Sequence, residues 1–363
     1  MNILPIARPA LAILAAAVLA APAAAQERRE EMPVTPALAD SVARAAADEV
    51  AARYVFADRG QAAAQLLRRG VRAGRYRALA TAAALTDSLT ADLRRATGDQ
   101  HLQVQYSVRA RPAPGNAGRT PADDARERET AAWRNYGFLE LERLDGNVGY
   151  LELGKFDDPA LAGGTLAAAM EFLAGTDALI VDLRNNGGGS AAMTALLESY
   201  FLPEATLLST LHRRDGDDAQ LWTLPHVAGP RYLDRPVYLL TSGRTFSAAE
   251  GFAYDLKARG RAVLVGENTR GGANPGGWQM IGDHFGVFVP TARVENSVTH
   301  ANWEGAGLRP DLAVPAAEAK KAAHRAALER LIASRANAER APRWREALEM
   351  LRADDARAAS AAR

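Results

Sequence analysis

A serine followed three residues later by a glutamate, Ser247 and Glu250, comes shortly after an apolar run. The run at residues 237–241 predicts a buried strand, and the sequence from Ser247 onward predicts a helix. A hydroxyl at a helix N-terminus can serve as a nucleophile, because nearby backbone amides can stabilise an oxyanion. The same Ser-x-x-Glu spacing is that of a capping box, which begins many helices without a catalytic role. The local sequence leaves both interpretations open.

Three consecutive glycines follow another apolar run, which predicts a second buried strand at residues 178–183. Glycine lets the backbone approach a neighbouring group closely and turn its amides toward it, so Gly187 to Gly189 could contact a ligand. The spacing of a phosphate-binding loop is absent. A tight turn between strand and helix explains the glycines equally well.

His101 is the histidine whose surroundings best suit catalysis. It lies between a helical pattern that ends near Thr97 and an alternating pattern that predicts a strand. Imidazole can accept a proton near neutral pH, although a single histidine is more often structural or solvated. No spacing typical of a metal site occurs, and Ser247 lacks the Gly-x-Ser-x-Gly context of an ordinary α/β-hydrolase. We therefore expect neither a metal nor that fold.

Composition excludes several classes of partner. The chain has 363 residues, 48% of them hydrophobic and 24% charged, with a formal net charge of +1. Such a balanced surface gives no electrostatic reason to bind nucleic acid or an anionic membrane. The chain has no cysteine, so disulfides and a lipoprotein anchor are both excluded.

The first 25 residues have the pattern of a secretory signal peptide. Arg8 precedes an apolar run at residues 11–20, and three alanines stand just before Gln26. A retained anchor is the alternative interpretation. No later segment approaches the about 20 apolar residues that a membrane span requires. We expect a secreted protein, located in the bacterial periplasm, with no membrane span in the mature chain.

Periodicity predicts an α/β protein with a small helical part at each end. Three short helices are expected between Ala37 and Thr97, and strands alternate with helices after Tyr136. The expected segments are a signal peptide at 1–25, a flexible stretch at 26–36, an N-terminal helical domain at 37–107, a linker or loop at 108–132, an α/β core at 133–315 and a helical tail at 316–363.

Several motifs, in this order, resemble those of the tail-specific (carboxyl-terminal processing) serine peptidases. The resemblance is greatest to the branch with the interphotoreceptor retinoid-binding protein modules and the tricorn protease core, and it spans about residues 37–315. The motifs that carry it are Gly98-Asp-Gln-His-Leu, Gly149-Tyr-Leu, Asp182-Leu-Arg-Asn-Asn-Gly-Gly-Gly, Thr245-Phe-Ser-Ala-Ala-Glu and Trp303-Glu-Gly-Ala-Gly-Leu-Arg-Pro-Asp. The resemblance implies a ClpP/crotonase-like α/β core.

The resemblance also implies Ser247 as nucleophile. Many members pair the serine with a lysine 25 positions later, where this chain has Gly272. Tricorn-like members use histidine and glutamate instead, which correspond to His101 as general base and Glu304 as its orienting carboxylate. Gln100 stands where those members have a serine beside the histidine. The four lysines lie elsewhere: Lys155, Lys257, Lys320 and Lys321.

The implied oxyanion hole is formed by the amide of Ala248 with one from Gly188 or a neighbouring glycine. The implied substrate is a peptide or protein, cleaved without any metal or organic cofactor. No segment is long enough for the PDZ-like module of many processing peptidases. Because retinoid-binding relatives share this fold, a non-catalytic carrier of apolar ligands is the alternative function.

Overall fold

The computed structural model describes residues 32–108, 120–334 and 338–361. The predicted signal peptide at 1–25 lies outside these ranges. Within them, no helix combines the length and the apolar character that crossing a bilayer requires.

The N-terminal part contains the three predicted helices. Thr35 begins the first of them, since its hydroxyl accepts a hydrogen bond from the Leu38 amide at 3.2 Å, and Pro36 occupies the first turn. The third ends at Gly98, whose φ of 78° suits glycine. The elements are α1 (Pro36–Arg53), α2 (Ala57–Arg72), α3 (Ala82–Thr97) and strand β1 (Gln103–Tyr106).

The α/β core follows, and its strands agree with the apolar runs in the sequence. The elements are α4 (Pro121–Trp133), β2 (Phe138–Leu144), β3 (Val148–Leu153), α5 (Pro159–Leu173), β4 (Ala178–Asp182), α6 (Ala191–Glu198), β5 (Leu207–Arg213), β6 (Ala219–Trp222), β7 (Val237–Thr241), α7 (Ala248–Ala258), β8 (Val263–Gly266), β9 (Gly276–Met280), β10 (Phe285–Pro290), β11 (Ala292–Asn296) and β12 (Leu312–Ala313). Single 3₁₀ turns lie at Asn135–Gly137 and Ala316–Glu318.

A six-stranded sheet in the order β12-β8-β7-β4-β3-β2 forms the centre of this core. All neighbouring strands are parallel except β2, which runs antiparallel to β3. Every residue of β4 and β7 is buried, because helices cover both faces of the sheet. Since β4 and β7 are parallel neighbours, the glycine loop and the serine loop leave the sheet at the same edge.

The predicted helical tail forms two helices, α8 (Ala319–Ser334) and α9 (Ala341–Ala361). They cover one face of the central sheet, whereas α5, α6 and α7 cover the other. Asp177 connects the tail to the sheet, because its carboxylate accepts hydrogen bonds from Arg340 and from the Trp344 indole. The prediction of an α/β core between a small N-terminal helical part and a C-terminal helical tail is confirmed.

The N-terminal helices do not enclose a core of their own. Their apolar faces pack with Phe285, Val287 and Val289 of β10, in the three-stranded sheet β1-β10-β9. The second small sheet has the order β11-β5-β6. Sheet β1-β10-β9 therefore attaches the helices to the α/β core and places the turn before β1 beside it.

The expected linker at 108–132 differs from the structure in its second half. Residues 121–133 form α4, which the capping box of Thr120 and Asp123 begins and in which Pro121 occupies the first turn. Only Ala131 of this helix is buried. Because α4 is almost wholly solvated, it lacks the apolar periodicity that would have predicted it.

Candidate active site

Ser247 stands at the N-terminus of α7 in a conformation that is rare for a residue with a side chain. Its backbone has φ 56° and ψ −124°, which costs about 1–3 kcal/mol outside glycine. The Ser247 amide donates a hydrogen bond to Glu250 Oε2 at 2.9 Å. The Ser247 hydroxyl instead lies 2.9 Å from a ring nitrogen of His101. Ser247 is therefore more than a helix cap.

Glu250 holds this strained turn together. Its carboxylate is fully buried and also accepts hydrogen bonds from the Thr269 hydroxyl at 2.5 Å and from the amides of Gly271 and Gly272 at 2.7 and 2.9 Å. Burial raises the pKa of Glu250, and these hydrogen bonds oppose that rise. One side chain thus fixes the turn at Ser247 to the loop that follows β8.

His101 reaches Ser247 from the turn between α3 and β1. The atom that lies 2.9 Å from Ser247 Oγ is Nε2. Asp99 Oδ1 accepts the His101 backbone amide at 2.9 Å, and the imidazole packs against the Phe246 ring with a centroid distance of 4.4 Å. Burial lowers the pKa of His101 to about 4, so the imidazole is neutral at physiological pH and able to accept a proton.

The position where many relatives of the predicted family have a lysine is filled by aromatic rings. A Cβ atom at Gly272 would lie 2.1 Å from the Phe246 ring and 2.8 Å from His101 Cε1. A side chain at residue 272 and the imidazole of His101 would therefore compete for the same space. Among the lysines, Lys155 pairs with Asp157 at 2.5 Å and Lys257 with Asp311 at 2.8 Å.

We expect Gly272→Ala to displace His101 and to lower the rate of Ser247 modification by at least about tenfold. The added methyl group must push aside Phe246 or the imidazole, and a small displacement of the imidazole would break its contact with the Ser247 hydroxyl. The rate of labelling by a fluorophosphonate probe measures this effect. Gly243→Ala is the control, because nothing lies within 4 Å of a Cβ atom there. Equal labelling rates in both variants would contradict the expected competition.

Glu304 lies close to His101 without a hydrogen bond to it. Glu304 Oε2 accepts the amides of Ala273 and Asn274 at 2.6 and 3.2 Å, whereas Oε1 is buried and has no partner. His101 Nδ1 is likewise buried and unpartnered. Carboxylate oxygens of Asp99 and Glu304 and a His101 nitrogen lie within 4.8 Å of one another. These donor types would also suit a metal ion, so the expected absence of a metal stays a prediction.

Two neighbouring carboxyl groups surround the back of the imidazole. Asp99 Oδ2 accepts the Tyr54 hydroxyl at 3.2 Å and the Asn274 amide at 3.0 Å, in addition to the His101 amide on Oδ1. Burial, with the nearby charge of Asp99, raises the pKa of Glu304 to about 7. Both carboxylate oxygens of Asp99 therefore accept hydrogen bonds, whereas Glu304 Oε1 accepts none among the described residues.

The glycine loop, residues 187–189, lies against Ser247. A Cβ atom at Gly188 would lie 2.8 Å from Ser247 Cβ and 2.9 Å from the Ala248 nitrogen, so only glycine fits here at its φ of 101°. The Gly188 amide, however, donates to Asn186 Oδ1 at 2.8 Å. Phe156 pairs with the Gly188 carbonyl and the Ser190 amide in a parallel bridge. The Gly189 amide between them therefore points away from Phe156.

A cavity of about 130 Å³ opens beside Ser247, and we call it the nucleophile cavity. Gly189 and Ala248 border it together with Ser247. One face of α7 continues along it, through Gly251 to Asp255. Its walls are mostly apolar and include Leu211, Leu221, Pro275, Val294 and Trp303.

Two buried carboxyl groups lie toward the ends of α6 and α7 that are remote from Ser247. Glu198 is fully buried, and neither of its carboxylate oxygens has a hydrogen-bond partner. Burial and the nearby charge of Asp255 raise the pKa of Glu198. Burial raises the pKa of Asp255 to about 7, although Arg259 opposes the rise from 3.5 Å. Arg259 is the charged partner that both acids share.

We expect Glu198→Gln to make protein stability less dependent on pH. The folded protein keeps the Glu198 proton that the unfolded chain releases at a pH of about 4.3, so the free energy of unfolding falls as pH rises from there toward the folded pKa. Glutamine does not ionise, so the free energy of unfolding of the variant should fall less steeply with pH. Part of the fall remains because burial also raises the pKa of Asp255. Urea denaturation across this pH range measures the free energy of unfolding of both proteins. An unchanged slope, equal to that of the exposed control Glu349→Gln, would contradict the expectation.

The structure brings the three predicted site residues, Ser247, His101 and Glu304, close together, whereas the sequence alone does not predict the groups that hold them. Asp99 stands two residues before the histidine and has the sequence context of an ordinary turn residue. The sequence presents Glu250 only as half of a capping box. Both residues stand in recognisable sequence motifs. Their roles are not predictable from those motifs, because the hydrogen-bond donors that contact them come from segments remote in the chain.

The fold and the site together define an α/β protein with a serine–histidine pair at the carboxyl edge of a parallel sheet. Two family profiles match this chain. "Peptidase family S41" matches residues 147–314, and "N-terminal domain of Peptidase S41 in eukaryotic IRBP" matches residues 31–132. The chain belongs to peptidase family S41, as its motifs predicted.

Curated relatives match part of their own length. The carboxyl-terminal-processing protease of Synechocystis sp. is 32% identical over 175 residues, which are 48% of this chain and 39% of that protein. The chloroplastic carboxyl-terminal-processing peptidase 1 of Arabidopsis thaliana is 31% identical over 176 residues, 47% of this chain and 35% of that protein. The chain thus matches well under half the length of these two relatives.

Solved structures share the fold over a larger part of the chain. A lipoprotein from Streptococcus agalactiae has a TM-score of 0.52 at 14% identity and covers 82% of this chain and 98% of its own. A protein from Parabacteroides merdae has a TM-score of 0.50 at 20% identity and covers 78% of this chain and 90% of its own. At these identities the likeness concerns the fold alone.

Proposed function

We propose that the protein is a serine peptidase that cleaves peptide bonds through an acyl-enzyme on Ser247. The observation that carries the proposal is the 2.9 Å distance between His101 Nε2 and Ser247 Oγ. This distance lets a neutral imidazole accept the hydroxyl proton as the oxygen attacks a carbonyl carbon. The S41 membership of the chain supports the same chemistry. The signal peptide predicted at residues 1–25 makes the periplasm the expected compartment.

The first half of the reaction forms the acyl-enzyme. Ser247 Oγ bonds to the substrate carbonyl carbon, and its proton moves to His101 Nε2. The carbonyl oxygen becomes an oxyanion, which the Ala248 amide at the start of α7 can stabilise. For the second donor we favour Gly189 over Gly188, because the Gly188 amide is engaged by Asn186. The C–N bond then breaks, and the imidazolium gives its proton to the leaving amine.

The second half releases the product. A water molecule loses a proton to His101 Nε2 and attacks the acyl carbon, and the proton then returns to Ser247 Oγ as the ester bond breaks. Glu304 would orient the imidazole during both halves. Both His101 Nδ1 and Glu304 Oε1 lack other partners, so a modest side-chain movement could join them. No metal or organic cofactor enters these steps.

A serine-directed fluorophosphonate probe tests the proposal on the purified protein. We expect covalent labelling at Ser247, located by peptide mass spectrometry, and none in Ser247→Ala. Ser334→Ala is the matched control, because this serine lies in α8 on the opposite face of the sheet, where its hydroxyl donates to the Leu331 carbonyl. A wild-type protein that is not labelled, yet binds a fluorescent lipid saturably, would support an apolar-ligand carrier instead.

The decline of activity caused by protonation of His101 should appear only at unusually low pH. Because burial lowers the pKa of His101 to about 4, the imidazole stays neutral and able to accept a proton at every pH above that value. Burial raises the pKa of Glu304 to about 7, so its protonation adds a separate decline, which Glu304→Gln removes. In Glu304→Gln we expect kcat/KM for a peptide substrate to fall to half its plateau near the pKa of His101 as acid is added. A half-point near 6.5, the ordinary histidine pKa, would show that the imidazole is not held in a desolvated site.

A further inference from the structure

At the inner end of the nucleophile cavity, two carboxyl groups are accompanied by a single guanidinium group. Asp255 lines the cavity, and Glu198 lies behind it with both oxygens unpartnered. The guanidinium of Arg259 is the charged group that acts on both carboxyls, and its other nitrogen is already bound to the Leu207 carbonyl and the Ser297 hydroxyl. Two carboxylates and one guanidinium leave one uncompensated negative charge in a buried place. Such a charge requires a cation or a proton.

One carboxylate oxygen of Asp255 is available to accept a hydrogen bond from a group in the cavity. The Asn296 side-chain amide donates to Oδ1, and Arg259 approaches the same oxygen. Oδ2 is therefore left for a group that enters the cavity. The Asp255 carboxyl is largely buried, with 5% of the residue exposed. Water would therefore screen the attraction between this carboxylate and a bound cation only weakly.

The distance from the nucleophile suits a long side chain. Asp255 follows Ser247 by two helical turns, which corresponds to about 12 Å along α7. Helical side chains lean toward the N-terminus, so the Asp255 carboxyl is closer to Ser247 than its Cα is. A lysine side chain has a four-carbon stem that the apolar walls can pack against and an ammonium group at its end.

We propose that the nucleophile cavity selects lysine as the residue whose carbonyl Ser247 attacks, which rests on the serine peptidase function proposed above. Leu211, Leu221 and Val294 would pack against the stem of the substrate lysine. Asp255 Oδ2 would accept a hydrogen bond from its ammonium group, and Glu198 would add its negative charge from behind. Without such a substrate, burial and the nearby charge of Asp255 favour the protonated form of Glu198, whose proton then serves as the counter-charge.

Two peptides test this specificity, identical except that one has lysine and the other norleucine before the scissile bond. Norleucine keeps the stem and lacks the ammonium group. We expect kcat/KM for the lysine peptide to exceed that for the norleucine peptide by about 30-fold or more above pH 7, the effect of a buried charge pair. The ratio should decline below pH 7 as Asp255 takes up a proton. Protonation of His101 cancels in the ratio because it affects both peptides alike.

Asp255→Asn should bring the ratio of kcat/KM for the lysine peptide to kcat/KM for the norleucine peptide to within about threefold of one. The matched control is Asp311→Asn, a surface acid paired with Lys257, which should keep the preference. Cleavage of the norleucine peptide with no preference for lysine would overturn the lysine proposal while the peptidase function stands. If neither peptide is cleaved and Ser247 is not labelled by fluorophosphonate, both proposals are wrong. If Ser247 is labelled and neither peptide is cleaved, the lysine proposal alone is overturned.

Discussion

His101→Ala is expected to lower kcat/KM for a peptide by about 10²–10⁴-fold, the usual contribution of a general base. The variant loses the only imidazole within hydrogen-bond distance of Ser247 among the described residues. Fluorophosphonate labelling should slow by a similar factor, because the same proton must leave the hydroxyl. Peptide hydrolysis and probe labelling, measured on one preparation, check the two effects together.

The control for this variant is His226→Ala, which removes an exposed imidazole and should leave both rates unchanged. Lys155→Ala provides the opposing test. Lys155 is half exposed and ion-paired with Asp157, and we expect its removal to have no effect on either rate. A Lys155→Ala variant as inactive as Ser247→Ala, beside an active His101→Ala, would replace the histidine mechanism with a lysine mechanism.

The location of the site was predictable from the sequence because it follows from sheet topology. Apolar runs in the sequence predict β4 and β7 as buried strands, and the loops that follow these strands contain the three glycines and Ser247. Parallel neighbouring strands bring these loops to one edge by geometry alone. His101 is different, because the turn before β1 reaches Ser247 only through the pairing of β1 with β10. Motif resemblance predicts His101 as a site residue, whereas periodicity does not.

The charges of the site were beyond sequence reasoning. Glu198 and Glu304 look like ordinary surface residues in the sequence, yet Glu198 is fully buried and burial raises the pKa of Glu304 to about 7. Burial of a polar side chain depends on every element packed over it, which no local pattern reports. The same limit applies to Gly188, since its amide is engaged by the side chain of Asn186 two residues earlier.

Glu250→Ala is expected to lower the free energy of unfolding by about 3–5 kcal/mol. The alanine variant leaves the Ser247, Gly271 and Gly272 amides and the Thr269 hydroxyl without their acceptor in a buried place. Each unsatisfied buried donor costs about 1–3 kcal/mol, and water entering the space relieves part of that cost. Urea denaturation followed by circular dichroism measures the change.

The catalytic consequence distinguishes this role from a general packing role. Glu250 holds the Ser247 backbone at a positive φ, and without it the turn can relax to an ordinary helical start, which moves the hydroxyl away from His101. Labelling of Ser247 should therefore be lost even at low temperature, where the variant is still folded. Glu349→Ala, an exposed helical control, should change neither stability nor labelling. A folded Glu250→Ala protein that labels at the wild-type rate would show that the strained turn is maintained by the contact with Gly188 and not by the carboxylate.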